Sequence, residues 1–291
     1  MSDIKTIGIV GCGTMGTGIA IVCARAGFVT RVFDVRPEPL EGARKQIAAF
    51  LRKSVERGKL AAGQDEAILA RLHTSTNIED FADCDLVIEA VFEDLKVKHA
   101  IFSQLNTICP AHTIFASNTS TISITEIAGG SGRDDRFVGM HFCLPAQLMK
   151  LVEMSPGINT SEETFERAWK ACIALGQHPV RTRDTPGFIL NYFLVPWHND
   201  VINLVDQGVA TPADIDLAVK TALGYPLGPL ELLDMVGMDT QKLLCEALHG
   251  VTSEPRAACP PLVRRMIGSG HLGRKTGRGF HTYDSKKIFG A

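Results

Sequence analysis

Residues 5–34 read KTIGIVGCGTMGTGIAIVCARAGFVTRVFD, and this stretch decides the fold. It opens with the short apolar run KTIGIV, which is typical of a strand buried on both faces of a parallel sheet. A glycine-rich turn follows, then a helical pattern that ends at Gly27, and then a second apolar run that ends at Asp34. The order strand, turn, helix, strand predicts a βαβ unit at the start of an open parallel sheet.

The turn between the first strand and the helix reads GCGTMG, and its glycines have separate tasks. Gly11 permits the tight turn, Gly13 lets the backbone approach a pyrophosphate, and Gly16 allows close packing of the helix on the strand. Thr14 and Met15 lie in this turn, directly before the helical pattern TGIAIVCARAG, and the N-terminal end of that helix offers free N–H groups to phosphate oxygens. We therefore expect a dinucleotide to bind at this turn.

Asp34 closes the second strand, where a carboxylate accepts hydrogen bonds from an adenosine ribose and repels a 2′-phosphate. A glycine motif alone is a weak signal because glycine-rich turns are common, but here the strand, helix and acidic residue are all in place. The sequence therefore predicts NAD as the cofactor. Arg36 lies two residues later and would suit a 2′-phosphate, so NADP remains the alternative.

The composition excludes several classes of protein. The chain has 291 residues, of which 45% are hydrophobic and 21% charged, so it can build one large or two ordinary folded domains. The formal net charge is −2 and no Lys/Arg block occurs, which argues against nucleic-acid and membrane-surface partners. The eight cysteines form no CxxC pair or His-spaced cluster, so we expect reduced thiols, no metal site and a cytoplasmic protein. No apolar run has the length of a membrane span.

Strand and helix patterns alternate through the first part of the chain and then give way to helical patterns alone. We therefore predict an α/β fold with a Rossmann-type N-terminal domain, residues 1–183, and an all-helical C-terminal domain, residues 184–291. A helix is expected to start at Thr185 and Pro186. The apolar stripes of the second domain exceed what a small bundle can cover by itself, which predicts a homodimer.

A second stretch, residues 136–153, reads RFVGMHFCLPAQLMKLVE and consists of two apolar runs joined by a loop. If these runs pair as neighbouring strands, His141 and Glu153 lie close together. A carboxylate beside an imidazole fixes its tautomer and stabilises the imidazolium, so the ring can take a proton near neutral pH. The alternative is an ordinary core histidine and an ordinary glutamate at a strand end.

Further polar residues follow the ends of predicted strands, which is the edge where open parallel sheets bind ligands. Glu93 and Lys98 flank the turn after the strand 85–90. The segment 117–120, SNTS, follows the next strand, and helix capping would explain one of its four small polar residues but not all four.

Lys53 and Arg57 stand four residues apart on one face of a predicted helix. They suit an anionic phosphate of a substrate, but a solvated helix face is the alternative interpretation.

Several motifs occur in order along nearly the whole chain: GCGTMG, IEAVFEDLKVK, ASNTSTISITEIA, GMHF, MKLVEM, DTPGFILN, GYPLGPLELLDMVGMDT and LGRKTGRGF. Together they resemble the L-3-hydroxyacyl-CoA dehydrogenase family, including its bacterial 3-hydroxybutyryl-CoA dehydrogenase branch. This resemblance implies a two-domain dimer that oxidises an L-3-hydroxyacyl-CoA to the 3-ketoacyl-CoA with NAD, or runs in reverse, as in fatty-acid β-oxidation.

The resemblance also implies roles for single residues. His141 matches the family's catalytic base and Glu153 its carboxylate partner, while Ser120 and Asn191 match residues that hydrogen-bond the reacting oxygen and orient the substrate. Matches to cofactor-contacting positions are Glu93, Lys98 and Lys275, and matches to basic contacts with the CoA phosphates are Lys53 and Arg57.

The chain departs from the family pattern beside the histidine. The usual loop reads HFFNP, whereas this chain has His141-Phe142-Cys143-Leu144-Pro145. A polar amide is thus replaced by Leu144, and Tyr192 follows Asn191 where the family usually has an arginine. A smaller and more apolar wall would admit a branched, cyclic or otherwise unusual acyl chain.

Two rival functions differ from this interpretation. The first is an NAD-dependent dehydrogenase of a free hydroxy acid or sugar acid, as in the lambda-crystallin and gulonate dehydrogenase relatives, but the MKLVEM and GYPLGP runs favour the acyl-CoA branch. The second is a non-catalytic NAD(H)-binding structural or sensor protein. Such a protein has no need to keep His141, Glu153, Ser120 and Asn191 together.

Overall fold

A computed structural model describes residues 3–283 of the chain. It divides into two compact units, Met1–Thr185 and a second unit that begins at Pro186. Asp184 belongs to the first unit because its carboxylate accepts hydrogen bonds from the backbone N–H groups of Ile124 and Thr125. Residues 1–2 and 284–291, which the predicted domains include, lie outside the described residues.

The first unit is built on one eight-stranded sheet. Its strands are β1 Thr6–Val10, β2 Val29–Phe33, β3 Leu72–Ser75, β4 Leu86–Glu89, β5 Ile114–Ser117, β6 Phe137–Phe142, β7 Leu151–Pro156 and β8 His178–Arg181. The order across the sheet is β3-β2-β1-β4-β5-β6-β7-β8, and every neighbouring pair is parallel except β6 and β7. The chain reverses direction across the sheet between β1 and β4, which is where doubly wound sheets bind dinucleotides. The Rossmann-type α/β prediction is confirmed.

Helices connect these strands and cover the sheet. They are α1 Thr14–Arg25, α2 Pro37–Glu56, α3 Gln64–Leu69, α4 Leu95–Ile108, α5 Ile124–Gly129 and α6 Glu162–Ala174. The main core is formed by β-branched and other apolar side chains of the sheet packed against α1, α2 and α6, among them Ile7, Ile9, Ile19, Leu51 and Ala168. This burial fixes the strand ends that carry the polar residues discussed below.

Arg133 is a buried cation of the first unit, and its guanidinium donates hydrogen bonds to five oxygen atoms. Its guanidinium donates hydrogen bonds to the side chain and carbonyl of Asn106 and to the carbonyls of Cys109, Pro110 and Thr113. These oxygens include the carbonyl end of α4, where a cation also interacts favourably with the helix dipole. Arg133 therefore stabilises the fold away from the polar strand ends.

In the second unit, the regular elements of the described residues are helices, which agrees with the predicted all-helical domain. They are α7 Leu190–Asp206, α8 Pro212–Leu223, α9 Pro229–Val236, α10 Met238–Thr252 and α11 Pro261–Gly268. Their core includes Ile202, Ile215, Leu233, Met238 and Val263. Within residues 3–283, no helix is long and apolar enough to cross a membrane.

The predicted start of the first helix of this unit is wrong. The helix begins at Leu190 rather than at Thr185 and Pro186, because Gly187 (φ +79°) and Phe188 (φ +47°) adopt left-handed backbone conformations that a helix cannot contain. A turn therefore precedes the helix.

Candidate active site

The glycine-rich turn lies at the carboxyl end of β1. Of the glycines at positions 11, 13 and 16, Gly13 is the one that leaves open space, as the sequence predicted. Gly11 has φ +91°, and a Cβ there would lie 2.7 Å from the Ala90 carbonyl oxygen. A Cβ on Gly16 would lie 1.8 Å from the Gly11 carbonyl oxygen, so Gly16 lets α1 pack on the turn. A Cβ on Gly13 would meet nothing within 4 Å, which leaves an open cradle at the N-terminus of α1.

A cavity of about 740 Å³ opens at this cradle. Of the residues predicted to bind the cofactor, Gly11, Gly13, Thr14, Met15 and Asp34 line it. Apolar side chains on the other walls suit an adenine ring; they include those of Val35, Phe92, Val97 and Ile101. The backbone cradle, the helix terminus and the carboxylate together fit a dinucleotide such as NAD.

Asp34 is held in place by two loops. One carboxylate oxygen, Oδ2, accepts hydrogen bonds from the Cys12 backbone N–H (3.1 Å) and from the Cys12 thiol (3.3 Å), while Oδ1 accepts one from the Arg36 N–H (3.3 Å). Burial and the neighbouring carboxylate raise the pKa of the Cys12 thiol to about 12, so the thiol stays a neutral donor. Sequence reasoning missed Cys12, since nothing in the pattern GCGTMG marks its side chain.

His141 and Glu153 lie on adjacent antiparallel strands, β6 and β7, whose register pairs the two residues directly. The imidazole Nδ1 lies 2.8 Å from Glu153 Oε2, and both residues are buried. A carboxylate accepts only, so Nδ1 carries the proton in this contact, and the neutral ring keeps Nε2 as an acceptor. Nε2 in turn lies 3.0 Å from the Ser120 hydroxyl oxygen. The structure thus brings together Ser120, His141 and Glu153.

The turn that carries Ser120 is fixed by the carboxylate of Glu93. Glu93 Oε1 accepts hydrogen bonds from the Thr119 hydroxyl (2.5 Å), the Ser120 N–H (2.9 Å), and the N–H and hydroxyl of Thr121 (3.0 and 2.9 Å). Burial raises the pKa of Glu93, but the Lys98 cation and these hydrogen bonds outweigh burial and lower it below the usual range. Glu93 is therefore an anion that holds the Ser120 turn.

Lys98 lies beneath Glu93 and its side chain is buried. Its ammonium Nζ is 2.7 and 2.9 Å from the two carboxylate oxygens of Glu89 and 3.2 Å from Glu93 Oε2. The residues that line the cofactor cavity do not include Lys98. A cofactor contact for Glu93 and Lys98 stays a prediction.

The four polar residues at the end of β5, Ser117 to Ser120, each have a separate partner. The Ser117 hydroxyl donates to Glu89 Oε2 (2.6 Å), and Asn118 Oδ1 accepts from the Phe142 N–H (2.8 Å). Thr119 and Ser120 contact Glu93 and His141, as described above. The following helix α5 is capped by another residue, Ser123. Asn118, which fixes the end of β6 beside the histidine, was not singled out from the sequence.

The remaining predicted residues lie elsewhere. Asn191 is the second residue of α7, and Lys275 pairs with Asp239 (2.5 and 2.6 Å), so both belong to the second unit. Lys53 and Arg57 are exposed at the C-terminal end of α2, where cations also interact favourably with the helix dipole. Their predicted contacts with substrate and cofactor remain predictions.

Comparisons with known proteins match both units. The family model "3-hydroxyacyl-CoA dehydrogenase, NAD binding domain" matches residues 6–185, and the model of the C-terminal domain of the same enzymes matches residues 187–283. The chain is 40% identical to a probable 3-hydroxybutyryl-CoA dehydrogenase of Bacillus subtilis, over 98% of this chain and 99% of that protein.

Solved structures agree. The crystal structure of M. tuberculosis FadB2 is similar with a TM-score of 0.94 and 39% identity, covering 97% of this chain and 99% of that one. That of (S)-3-hydroxybutyryl-CoA dehydrogenase PaaH1 from Ralstonia eutropha is similar with a TM-score of 0.91 and 38% identity, covering 97% and 100%.

Proposed function

The chain belongs to the 3-hydroxyacyl-CoA dehydrogenase family, and we propose that it uses His141 as the general base for the NAD-dependent oxidation of a 3-hydroxyacyl-CoA to the 3-ketoacyl-CoA. The observation that carries this proposal is the line Ser120–His141–Glu153, with contacts of 3.0 and 2.8 Å. It joins a hydroxyl, an imidazole and a buried carboxylate near the edge of the sheet that is formed by the carboxyl ends of the parallel strands.

His141 Nε2 is the atom that takes the proton of the C3 hydroxyl, or returns it in the reverse reaction. Glu153 keeps Nδ1 protonated and stabilises the imidazolium that forms. The Ser120 hydroxyl hydrogen-bonds the reacting oxygen and directs the proton of the C3 hydroxyl toward Nε2. This is the orientation part of catalysis. When bound, NAD supplies the acceptor for the hydride that leaves C3.

Binding of the cofactor is assigned to the cavity at the glycine turn. Gly13, Thr14 and Met15 present backbone to the pyrophosphate, and Asp34 accepts hydrogen bonds from the adenosine ribose. From the family resemblance, Asn191 orients the substrate oxygen. The same resemblance gives Glu93, Lys98 and Lys275 to the cofactor, and Lys53 and Arg57 to the CoA phosphates.

NADH oxidation with acetoacetyl-CoA tests the function, with free acetoacetate as the comparison substrate. We expect rapid oxidation with the CoA ester alone and a loss of about a hundredfold or more in His141→Ala. His178→Ala is the matched control, because His178 is exposed on the edge strand β8. Equal rates with the free acid would favour a hydroxy-acid dehydrogenase, and NADH binding without turnover of any 3-ketoacyl-CoA would favour a non-catalytic protein.

The acyl group is proposed to be atypical because of Leu144. This side chain is 36% exposed in the loop after β6, in the place of the polar amide that the family usually has. An apolar side chain there favours branched or cyclic acyl groups. A higher kcat/KM for such 3-ketoacyl-CoA esters than for acetoacetyl-CoA, reversed in Leu144→Asn, is the expected result. Equal kcat/KM values for both kinds of ester in wild type would contradict it.

The protein is proposed to form a homodimer through the second unit. A cavity of about 490 Å³ there has aromatic and apolar walls, and Tyr192 and Phe193 on them are 56% and 54% exposed. A monomer rarely leaves such a patch in water. Sedimentation velocity should give a dimer that Phe193→Glu dissociates, whereas Ile158→Glu, at an exposed apolar site of the first unit, should not. A monomeric wild type would contradict the proposal.

The cytoplasm is the proposed location. The eight cysteines are free thiols, as expected in a reducing compartment. Cell fractionation with an antibody tests this, and recovery in an oxidising compartment would contradict it.

A further inference from the structure

Glu89 is a carboxylate at the end of β4 that is completely buried. Both of its oxygens are satisfied: Oε1 by the Val91 N–H (2.7 Å) and the Lys98 ammonium (2.7 Å), Oε2 by the Ser117 hydroxyl (2.6 Å) and again by Lys98 (2.9 Å). A buried carboxylate is costly to place unless it is paired in this way. Since the side chain has no exposed surface, it does not contact substrate, and the reaction described above gives it no role.

Lys98 is shared unequally between two carboxylates. Both oxygens of Glu89 are within 2.9 Å of its Nζ, whereas Glu93 approaches with one oxygen at 3.2 Å. Glu89 therefore takes most of the cation's attraction. Glu93 keeps its other oxygen, Oε1, for the donors of the turn 119–121.

We propose that Glu89 is a positioning residue for the reaction: by holding the Lys98 ammonium, it leaves Glu93 directed at the turn that carries Ser120. The Ser120 hydroxyl is then held 3.0 Å from His141 Nε2. This inference rests on the proposed function, because it assigns Ser120 and His141 to catalysis.

The isosteric change Glu89→Gln reveals the coupling. A Gln amide can place its oxygen at the position of Oε1, toward Val91 and Lys98. Its NH₂ group then takes the position of Oε2, which is 2.9 Å from the Lys98 ammonium. Two donors repel at this distance, so Lys98 moves toward its remaining anion, Glu93. Glu93 turns toward Lys98 and weakens its bonds to the Ser120 turn.

Steady-state kinetics with acetoacetyl-CoA and NADH test this in Glu89→Gln, Lys98→Met and the double variant, with kcat expressed per folded protein. We expect kcat to fall about tenfold to a hundredfold in Glu89→Gln, since small displacements of an orienting group have effects of this size. The KM for NADH stays within about twofold of wild type. In the double variant the unbalanced cation is gone, so kcat at saturating NADH is higher than in Glu89→Gln, while loss of the cofactor contact proposed for Lys98 appears only in the KM for NADH.

The recovery in the double variant is the decisive readout, because a merely structural role predicts that removing a second buried charge adds damage. Arg133→Met is the matched control: it removes a buried cation of the same unit and should lower Tm with kcat unchanged. A Glu89→Gln variant with unchanged kcat, or a double variant with lower kcat than the single one, overturns the proposal. So does a rise in the KM for NADH in Glu89→Gln with kcat unchanged, which would limit the Glu89–Lys98 pair to cofactor binding.

The crystal structure of Glu89→Gln separates this proposal from the proposed function. The proposal expects the Ser120 hydroxyl to lie beyond hydrogen-bond distance of His141 Nε2 in the variant, whatever substrate the enzyme uses. An unmoved Ser120 overturns the coupling even if wild type is active. An inactive wild type with a displaced Ser120 in the variant would overturn the function alone.

Discussion

His141 Nδ1 lies 2.8 Å from Glu153 Oε2 because the antiparallel register of β6 and β7 places the two residues directly opposite each other. Cross-strand neighbours on one face of a sheet are held at a fixed separation by the backbone ladder, so the contact does not depend on a flexible loop. The pair is therefore built before any substrate arrives.

Glu153→Gln should lower kcat about a hundredfold with little change in the KM for NADH. The amide can donate its NH₂ to Nδ1, which favours the tautomer with the proton on Nε2 and removes the acceptor for the substrate proton. Kinetics with acetoacetyl-CoA measure the effect. Glu162→Gln, an exposed carboxylate paired with Arg181, is the control and should keep wild-type kcat. Retention of kcat in Glu153→Gln would exclude the pair from catalysis.

Two alanine substitutions in the glycine turn should separate folding from cofactor binding. Gly16→Ala would place a Cβ 1.8 Å from the Gly11 carbonyl oxygen, so we expect the free energy of unfolding to fall by about 3 kcal/mol or more. Gly13 has φ −66°, and a Cβ there would meet open space, so the Gly13→Ala variant should keep the wild-type Tm. Its Kd for NADH should rise at least about tenfold, because the methyl group fills the cradle.

Urea unfolding and NADH fluorescence titration measure the two effects. Wild-type NADH affinity in Gly13→Ala would mean that the pyrophosphate does not approach this backbone.

Asp34→Ala should shift the cofactor preference toward NADPH. Loss of the carboxylate removes the hydrogen bonds to the ribose and the repulsion of a 2′-phosphate, while Arg36 remains as a cation. A hydrogen bond to a charged group contributes about 1.5–3 kcal/mol, so the ratio of kcat/KM for NADPH over NADH should rise about tenfold to a hundredfold. Adding Arg36→Ala should lower the NADPH activity again. An unchanged ratio in Asp34→Ala would show that Asp34 does not read the ribose.

The parts of the site that the sequence predicted are those with a local pattern. The tasks of Gly11 and Gly16 follow from strand, turn and helix spacing, and the meeting of His141 and Glu153 follows from two apolar runs joined by a short loop. In both cases, residues near one another in the chain determine the geometry.

The parts that were missed depend on contacts distant in sequence. Ser117 reaches Glu89 across 28 positions, and Asn118 reaches Phe142 across 24, so neither partner can be read from a window of sequence. The pairing of Lys98 with Glu89 was also not predicted, although only nine positions separate them, because the sequence pattern does not show that the Lys98 side chain is buried. The late start of α7 reflects the left-handed conformation of Phe188, which is unusual for a large side chain.

His198 should make the stability of the protein depend on pH. The side chain lies in α7 and is 4% exposed, and its Nε2 has no hydrogen-bond partner among residues 3–283. Burial lowers the pKa of His198 to about 4, although a hydrogen bond with Gln241 opposes this. The unfolded chain takes up the proton below about pH 6.5, but the folded protein does so only near pH 4. Acid therefore favours unfolding between these two values.

The contribution of His198 to the free energy of unfolding should accordingly fall by about 2 kcal/mol between pH 7.5 and 5. Above pH 6.5 the ring is neutral in the folded and the unfolded state, and the contribution is fully present. His198→Leu removes the titrating group, so its stability should fall less over the same interval. Urea unfolding at pH 5, 6, 6.5 and 7.5 measures both slopes, and His249→Gln, at an exposed position of α10, should keep the wild-type slope. Because other groups titrate equally in wild type and variant, the difference in slopes isolates His198. Identical slopes in wild type and His198→Leu would mean that the folded protein protonates this ring as easily as the unfolded chain does.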